Sequence, residues 1–307
     1  MIQLKFGTSR IILGDLVGLL GALVIIVSLI TVFHNKSAGS DTGNPATYDQ
    51  PPTTTSEKTN KPKGENKTPY SAPLPSSLGL PKPASVSIPT PSEILNLSNW
   101  KLTLPIETSH PGNPDEIRQP ELGTYALSPY FEVNGPKDGV IFRAYVGGAT
   151  TSGSSYPRSE LREMTNSGRQ SASWSNNSGT HTMVIKQAIT HLPAAKPDIV
   201  AGQIHDANDY VIMMRLNGKR LFVESKGQFV GELDTDYNLG TIFTVKIVAT
   251  EGRINVYYND IQKVSYLKSG DGYYFKAGCY TLSNTSKGDS PEAYGEVVIY
   301  DLQVSHH

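Results

Sequence analysis

The chain has 307 residues, a formal net charge of −1, and 28 glycines, 21 prolines and 16 tyrosines. That length holds one sizeable domain or two small ones, and the composition points to a loop-rich β protein, because aromatic residues favour strands while Gly and Pro interrupt them. The single cysteine, Cys279, excludes an internal disulfide framework and any multi-cysteine metal site, which leaves it as a small core residue.

Residues 11–33 are almost wholly apolar, with Asp15 the only charge, and the uncharged part over 16–33 is just long enough to cross a bilayer. Lys5 and Arg10 precede it, which places the N-terminus in the cytoplasm and the rest outside. A membrane anchor is therefore expected over residues 1–36, with a cleaved signal peptide as the competing reading; both export the remainder of the chain. Residues 37–92 carry 11 of the prolines among Ser, Thr, Lys, Asn and Gly. Such a segment buries too little apolar surface to offset the entropy of ordering, so a disordered, fairly stiff linker is expected. Residues 1–92 hold 8 Lys and Arg against 5 Asp and Glu, and residues 93–307 hold 19 against 23. An acidic domain argues against nucleic acid, and a polyanionic ligand would have to be drawn by a local cluster of cations.

From residue 93 to 307 the pattern is that of one all-β domain. Residues 99–105 alternate, with Trp100, Leu102 and Leu104 on the core side. Further strands are expected over 140–146, 180–189, 210–216, 221–225, 244–250, 253–258, 263–266, 273–282 and 295–304, separated by turns such as Asn217-Gly218 and Glu251-Gly252. No long helical period is present. Many short strands at this spacing predict a β-sandwich or jelly roll, and the domain is read as a monomer.

Three stretches concentrate chemistry. As a strand, residues 156–163 (YPRSELRE) put Arg158, Glu160 and Arg162 on one face. A solvated ladder of charges is the plain reading; a binding face is the alternative, since charges are seldom buried for stability alone. Alternation pairs Gln203 with His205 and turns Ile204 away. In residues 273–282, Tyr274, Lys276, Gly278 and Tyr280 share a face while Phe275, Ala277 and Cys279 form the apolar one. One sheet lined by all three stretches would gather groups that bind anions and move protons.

These three segments, in this order, resemble the signatures of the polysaccharide lyase family 7 alginate lyases: residues 158–163 (RSELRE), 203–205 (QIH) and 274–280 (YFKAGCY). The opening 100–105 (WKLTLP), the approach 150–155 (TTSGSS) and the closing strand to His306 are similar too, so the resemblance spans about 93–307. It departs after Tyr280, where Thr281-Leu282 stand in place of the Asn and Gln of many members, which bears on substrate contacts at that end. The resemblance implies a jelly roll with a substrate groove on its concave sheet and β-elimination on alginate, an acidic polysaccharide.

Such a lyase removes the C5 proton of a uronate and expels O4. Charge grows on the adjacent carboxylate, so a cation and a hydrogen-bond donor aimed there favour the transition state. Arg158 is the expected cation and Gln203 the donor. For guluronate the resemblance implies His205 as base and Tyr280 as acid; for mannuronate, Tyr280 in both roles. Ile204 inside the Gln-x-His motif implies guluronate-containing or mixed blocks. Glu160 and Arg162 are expected to pair and hold Arg158, or to touch neighbouring sugars; Lys276 and Tyr274 are expected to bind substrate. No cofactor or metal is called for. His110, His181, His191, His306 and His307 have no chemical context and are read as surface or terminal residues. Two rivals stand beside the lyase. A jelly-roll glycoside hydrolase would use paired carboxylates, for which Glu232, Asp234 and Asp236 are the candidates. A noncatalytic carbohydrate-binding module would need Arg158 and Lys276 but not His205 with Tyr280.

Overall fold

The computed structural model describes residues 5–6, 9–10, 88–108 and 111–307. The chain divides into two compact units, Met1–Gly79 and Leu80–His307. In the first, β1 (Lys5–Phe6) pairs antiparallel with β2 (Ser9–Arg10). Apart from that ribbon and residues 88–92, the expected anchor (1–36) and linker (37–92) lie outside the described residues. Among the described residues no helix is long and apolar enough to cross a membrane.

The second unit opens with a one-turn helix, α1 (Pro91–Ile94), and continues in strands. In chain order these are β3 (Trp100–Thr103), β4 (Glu116–Ile117), β5 (Phe131–Val133), β6 (Val140–Tyr145), β7 (Arg158–Thr165), β8 (Gln170–Ser171), β9 (Thr180–His191) and β10 (Asp198–His205). The remaining strands are β11 (Tyr210–Asn217), β12 (Arg220–Ser225), β13 (Gln228–Asp234), β14 (Phe243–Thr250), β15 (Arg253–Tyr258), β16 (Ile261–Leu267), β17 (Tyr274–Thr281) and β18 (Tyr294–His306). The alternating segments expected from the sequence recur with ends shifted by a residue or two. The short β4, β5 and β8 carry too few residues for any periodicity to show.

The strands form two antiparallel sheets. One runs β13-β12-β11-β10-β17-β7-β3-β4, with β8 on β7; the other runs β16-β15-β14-β9-β18-β6-β5. This is the jelly-roll sandwich. The inner faces meet in one core, with Leu102, Leu161, Ile204 and Phe275 from the first sheet against Phe142, Ile185, Ile247 and Ile299 from the second, all 1% exposed or less. Burial of each such side chain contributes about 2 kcal/mol. Cys279 is fully buried in that core, as expected.

The strand register slips at several bulges, and one of them matters for the site. Both ladders of β10 shift register between Val200 and Gly202. Ala201 packs in the main core, whereas Val200 joins Met213 and Leu282 in a separate small cluster beside Tyr280. The bulge shifts the phase by one residue, so that after Ile199 and Ala201 it is Ile204 that is buried in the core while Gln203 and His205 face away from it.

Candidate active site

The outer face of the first sheet carries a groove of about 680 Å³. Its floor comes from the three central strands β10, β17 and β7. Lys276 stands opposite Arg162 on one side and Gln203 on the other, Tyr280 opposite Arg158, and Tyr274 opposite His205. The residues expected from the sequence therefore meet. Gly278, opposite Glu160, is needed here: its φ is +136°, and a Cβ would lie 2.6 Å from the Ser159 carbonyl oxygen and 2.9 Å from the Glu160 Cα.

Glu160 is the hub of the floor and is only 1% exposed. One oxygen accepts from Lys276 Nζ at 2.5 Å and from Arg158 Nη1 at 3.3 Å, and the other accepts from Gln203 Nε2. Two sequence expectations are corrected by this geometry. The face is not a solvated ladder, since Arg158 and Lys276 are each 8% exposed. Glu160 does not pair with Arg162, because Arg158 on its own strand, Lys276 on β17 and Gln203 on β10 occupy its carboxylate. Arg162 turns the other way, donating to the Glu163 carbonyl at 2.7 Å with its Cζ 3.9 Å over the Tyr274 ring.

The electrostatics follow from that hub. Burial pushes the Glu160 carboxyl up, but Lys276 and Arg158 outweigh it and the net shift is downward, so the group is ionised. Burial lowers Lys276 to about 8, with Glu160 opposing the shift and Arg158 adding to it. Arg158 lies with Cζ 4.0 Å over the ring of Tyr280. Its Nε is buried without a partner among the described residues, a donor left over beside the groove.

His205 and Tyr280 are set in complementary states. The Nδ1 of His205 lies 2.6 Å from the Asp206 carbonyl oxygen, which can only accept, so Nδ1 carries the proton and Nε2 keeps a lone pair. The Tyr274 hydroxyl is 3.1 Å from the same Nδ1, and the two rings stack at 5.4 Å. Burial holds the imidazole below 6.5, opposed by the Asp206 bond and assisted by Lys276. Burial raises the Tyr280 phenol above 10 against Arg158 and Ser154, which lower it. At neutral pH the site thus holds an unprotonated imidazole and a protonated phenol, the states of a general base and a general acid.

Several groove residues were not legible in the sequence. Ser154, on the segment between β6 and β7, has its Oγ 2.9 Å from the Tyr280 hydroxyl. Arg215 bridges two carboxylates, donating to Asp198 from Nε at 2.7 Å and to Glu224 from Nη1 at 2.5 Å, and Tyr210 donates to Glu224 at 3.0 Å. These partners lie on different strands, and only the sheet order brings them together. Leu282 and Met213 line the groove and pack with buried Val200 in the cluster beside Tyr280, so the departure from the family pattern falls on the groove wall.

The histidines need correction. His181 is buried, with Nδ1 2.7 Å from Nδ1 of His306 and its ring stacked 4.3 Å from Trp174. His306 Nε2 reaches Glu163 Oε1 at 2.6 Å, and Glu163 Oε2 accepts from Trp174 Nε1 at 3.0 Å and from the Phe275 amide at 2.8 Å. His191 stacks on Tyr294 at 4.0 Å. Pairings across β9 and β18 create these contacts, which neighbours in sequence cannot reveal. His307 is exposed at the end of β18, and His110 lies outside the described residues. The carboxylates considered for hydrolysis do not reach the groove: Glu232 pairs with Arg220 at 2.7 Å, Asp234 accepts from Tyr258 at 2.8 Å, and Asp236 pairs with Lys219 at 2.8 Å.

A jelly roll whose groove holds a guanidinium, a neutral imidazole and a protonated phenol over a buried carboxylate is a polysaccharide lyase of the β-sandwich type. The family model described as alginate lyase matches residues 95–306, and the chain belongs to that family. The solved alginate lyase AlgAT5 of polysaccharide lyase family 7 is 61% identical, with a TM-score of 0.69 over 71% of this chain and 99% of that one. The alginate lyase from Corynebacterium sp. is 48% identical, with a TM-score of 0.69 over 72% and 99% of the two chains. A substituted form of the family 7 alginate lyase A1-II′, solved in complex with a substrate written GGMG, is 30% identical, with a TM-score of 0.59 over 71% and 96%. The activity is that of an alginate lyase, and neither a noncatalytic binding module nor a hydrolase is favoured.

Proposed function

We propose that Arg158, Gln203, His205 and Tyr280 carry the β-elimination, with the C5 carboxylate of a uronate seated against Arg158 and Gln203. The observation that carries this reading is the tautomer of His205, its Nδ1 pinned on the Asp206 carbonyl and its Nε2 left with a lone pair, in the same groove as a Tyr280 phenol held above 10. The free Nε of Arg158 supplies a charged donor, and Gln203, with one N–H on Glu160, keeps a second for substrate. As the C5 proton leaves for His205, the electron pair forms the C4–C5 double bond, the C4–O4 bond breaks, and O4 takes the proton of Tyr280. Negative charge growing on the carboxylate is met by preorganised donors. Arg162 and Tyr274 serve as substrate contacts at one end. Lys276, engaged with Glu160, acts mainly by keeping that hub charged and cationic.

Blocks containing guluronate are the proposed substrate. Ile204 is buried in the core and acts on block choice only through the placement of Gln203 and His205. The GGMG complex of A1-II′ supports a groove that accepts mixed blocks. We place the domain outside the cell, as a monomer held by a membrane anchor over residues 1–36, on the strength of the apolar run and the cations before it. The test is ultraviolet absorbance of polyguluronate, polymannuronate and alginate incubated with the full chain, since elimination creates a double bond conjugated to the carboxylate. Tyr280→Phe should abolish that signal and leave polymer binding nearly unchanged; parallel loss of both would overturn the assigned role.

A further inference from the structure

The hydrogen bond of the Tyr280 phenol within the protein is made by Ser154, at 2.9 Å. Ser154 Oγ also accepts the Tyr156 amide proton at 3.0 Å and lies 3.2 Å from the Tyr156 carbonyl oxygen. A hydroxyl has one proton and two lone pairs. With one lone pair held by the Tyr156 amide, the Ser154 proton has two acceptors within reach, the Tyr156 carbonyl and the phenol oxygen. The choice between them sets where the phenol proton points. If Ser154 donates to Tyr156, the phenol must donate back to Ser154 and turns only lone pairs to the groove. If Ser154 donates to the phenol, the phenol proton is free to face the leaving oxygen.

We infer that Ser154 is a positioning residue for proton donation: its hydroxyl rotates from the Tyr156 carbonyl to Tyr280, frees the phenol proton for O4, and then donates to the phenolate that remains. The role rests on the reading of Tyr280 as the acid. The balance is simple. The Tyr280 proton goes to O4 with the electron pair of the broken C4–O4 bond, the C5 proton goes to His205, and the Ser154 O–H bond stays intact throughout. The imidazolium then loses its proton and the phenolate regains one through water. The segment is held for this task at both sides of Ser154, by its own amide on the Thr151 carbonyl at 2.9 Å and by Asn284 Nδ2 on the Ser155 carbonyl at 3.0 Å. A donor to the phenolate favours its formation, in keeping with the direction in which Ser154 moves the phenol.

The test compares Ser154→Ala and Ser154→Thr in the full chain, with kcat and KM on alginate measured between about pH 7 and 11, spanning the ordinary range of a phenol. Ser154→Ala should lower kcat roughly ten- to a hundredfold, the effect of losing one hydrogen bond to a charged group, with KM within about twofold. Its alkaline limb should move to higher pH, because the phenolate loses a donor. Ser154→Thr, which keeps the hydroxyl, should retain most of the activity. Ser154→Ala with a parental kcat and a parental alkaline limb overturns the role, as does a loss confined to KM. Substantial turnover by Tyr280→Phe alone would instead overturn the acid assignment. Thermal unfolding of Ser154→Ala at the parental temperature shows that a lost kcat is not misfolding.

Discussion

Glu160→Gln is the sharpest test of the hub. The carboxylate is 1% exposed and is the one anion between Arg158 and Lys276. Glutamine keeps the shape but removes the charge, and its amide hydrogens must face at least one of the three donors that Glu160 now satisfies. Removing one partner of a buried ion pair costs about 3–5 kcal/mol. A domain of this size loses roughly 2–4 °C per kcal/mol, so the unfolding midpoint should fall by about 6–20 °C. The loss should depend on pH. Lys276 titrates at about 8 in the folded protein against 10.5 ordinarily, so above pH 8 the parent has already lost one of the two cations that Glu160 serves. The penalty should therefore be larger near pH 6 than near pH 9. In thermal unfolding followed by circular dichroism at both pH values, a fall under about 2 °C that is the same at both would refute the charge account. Turnover should drop at least about a hundredfold, because Arg158 and Gln203 lose the group that holds them.

Other outcomes rest on the same geometry. The acid limb of kcat/KM should lie below 6.5, because the base works unprotonated and burial lowers the His205 folded value; a limb above 6.5 in the pH profile would contradict His205 as base. Lys276, lowered on folding, binds its proton more weakly in the folded than in the unfolded state, so its contribution to stability rises between about pH 8 and 10.5; Lys276→Met should flatten that slope in denaturant titrations. Gly278→Ala should cost at least about 2 kcal/mol and most of the activity, since φ +136° and a 2.6 Å approach to the Ser159 oxygen both oppose a side chain, as urea unfolding and turnover would show. His306→Ala should cost about 1–3 kcal/mol by exposing one oxygen of Glu163 without a partner, yet leave kcat/KM within about twofold, since that network lies away from the groove.

The sequence determined which residues face the groove, because alternation on β7 and β17 is a local property of extended backbone. Arg158, Glu160 and Arg162, and likewise Tyr274, Lys276 and Tyr280, could be assigned to one face before any strand was paired. The core was legible for the same reason, with Phe275, Ala277 and Cys279 on the opposite face. Partners across strands were not legible. The sheet order alone decided that Glu160 binds Lys276 and Gln203 instead of Arg162, since register places a residue beside others far away along the chain. The same holds for Ser154 on Tyr280, Arg215 between Asp198 and Glu224, and His306 against His181 and Glu163. The bulge at Val200–Gly202 was equally hidden, since period two has no means of announcing where it slips. The shifts in proton affinity came last and belong to tertiary structure: a His205 held below 6.5, a Tyr280 held above 10 and a weakened Lys276 arise from burial and from charges that only folding brings within reach.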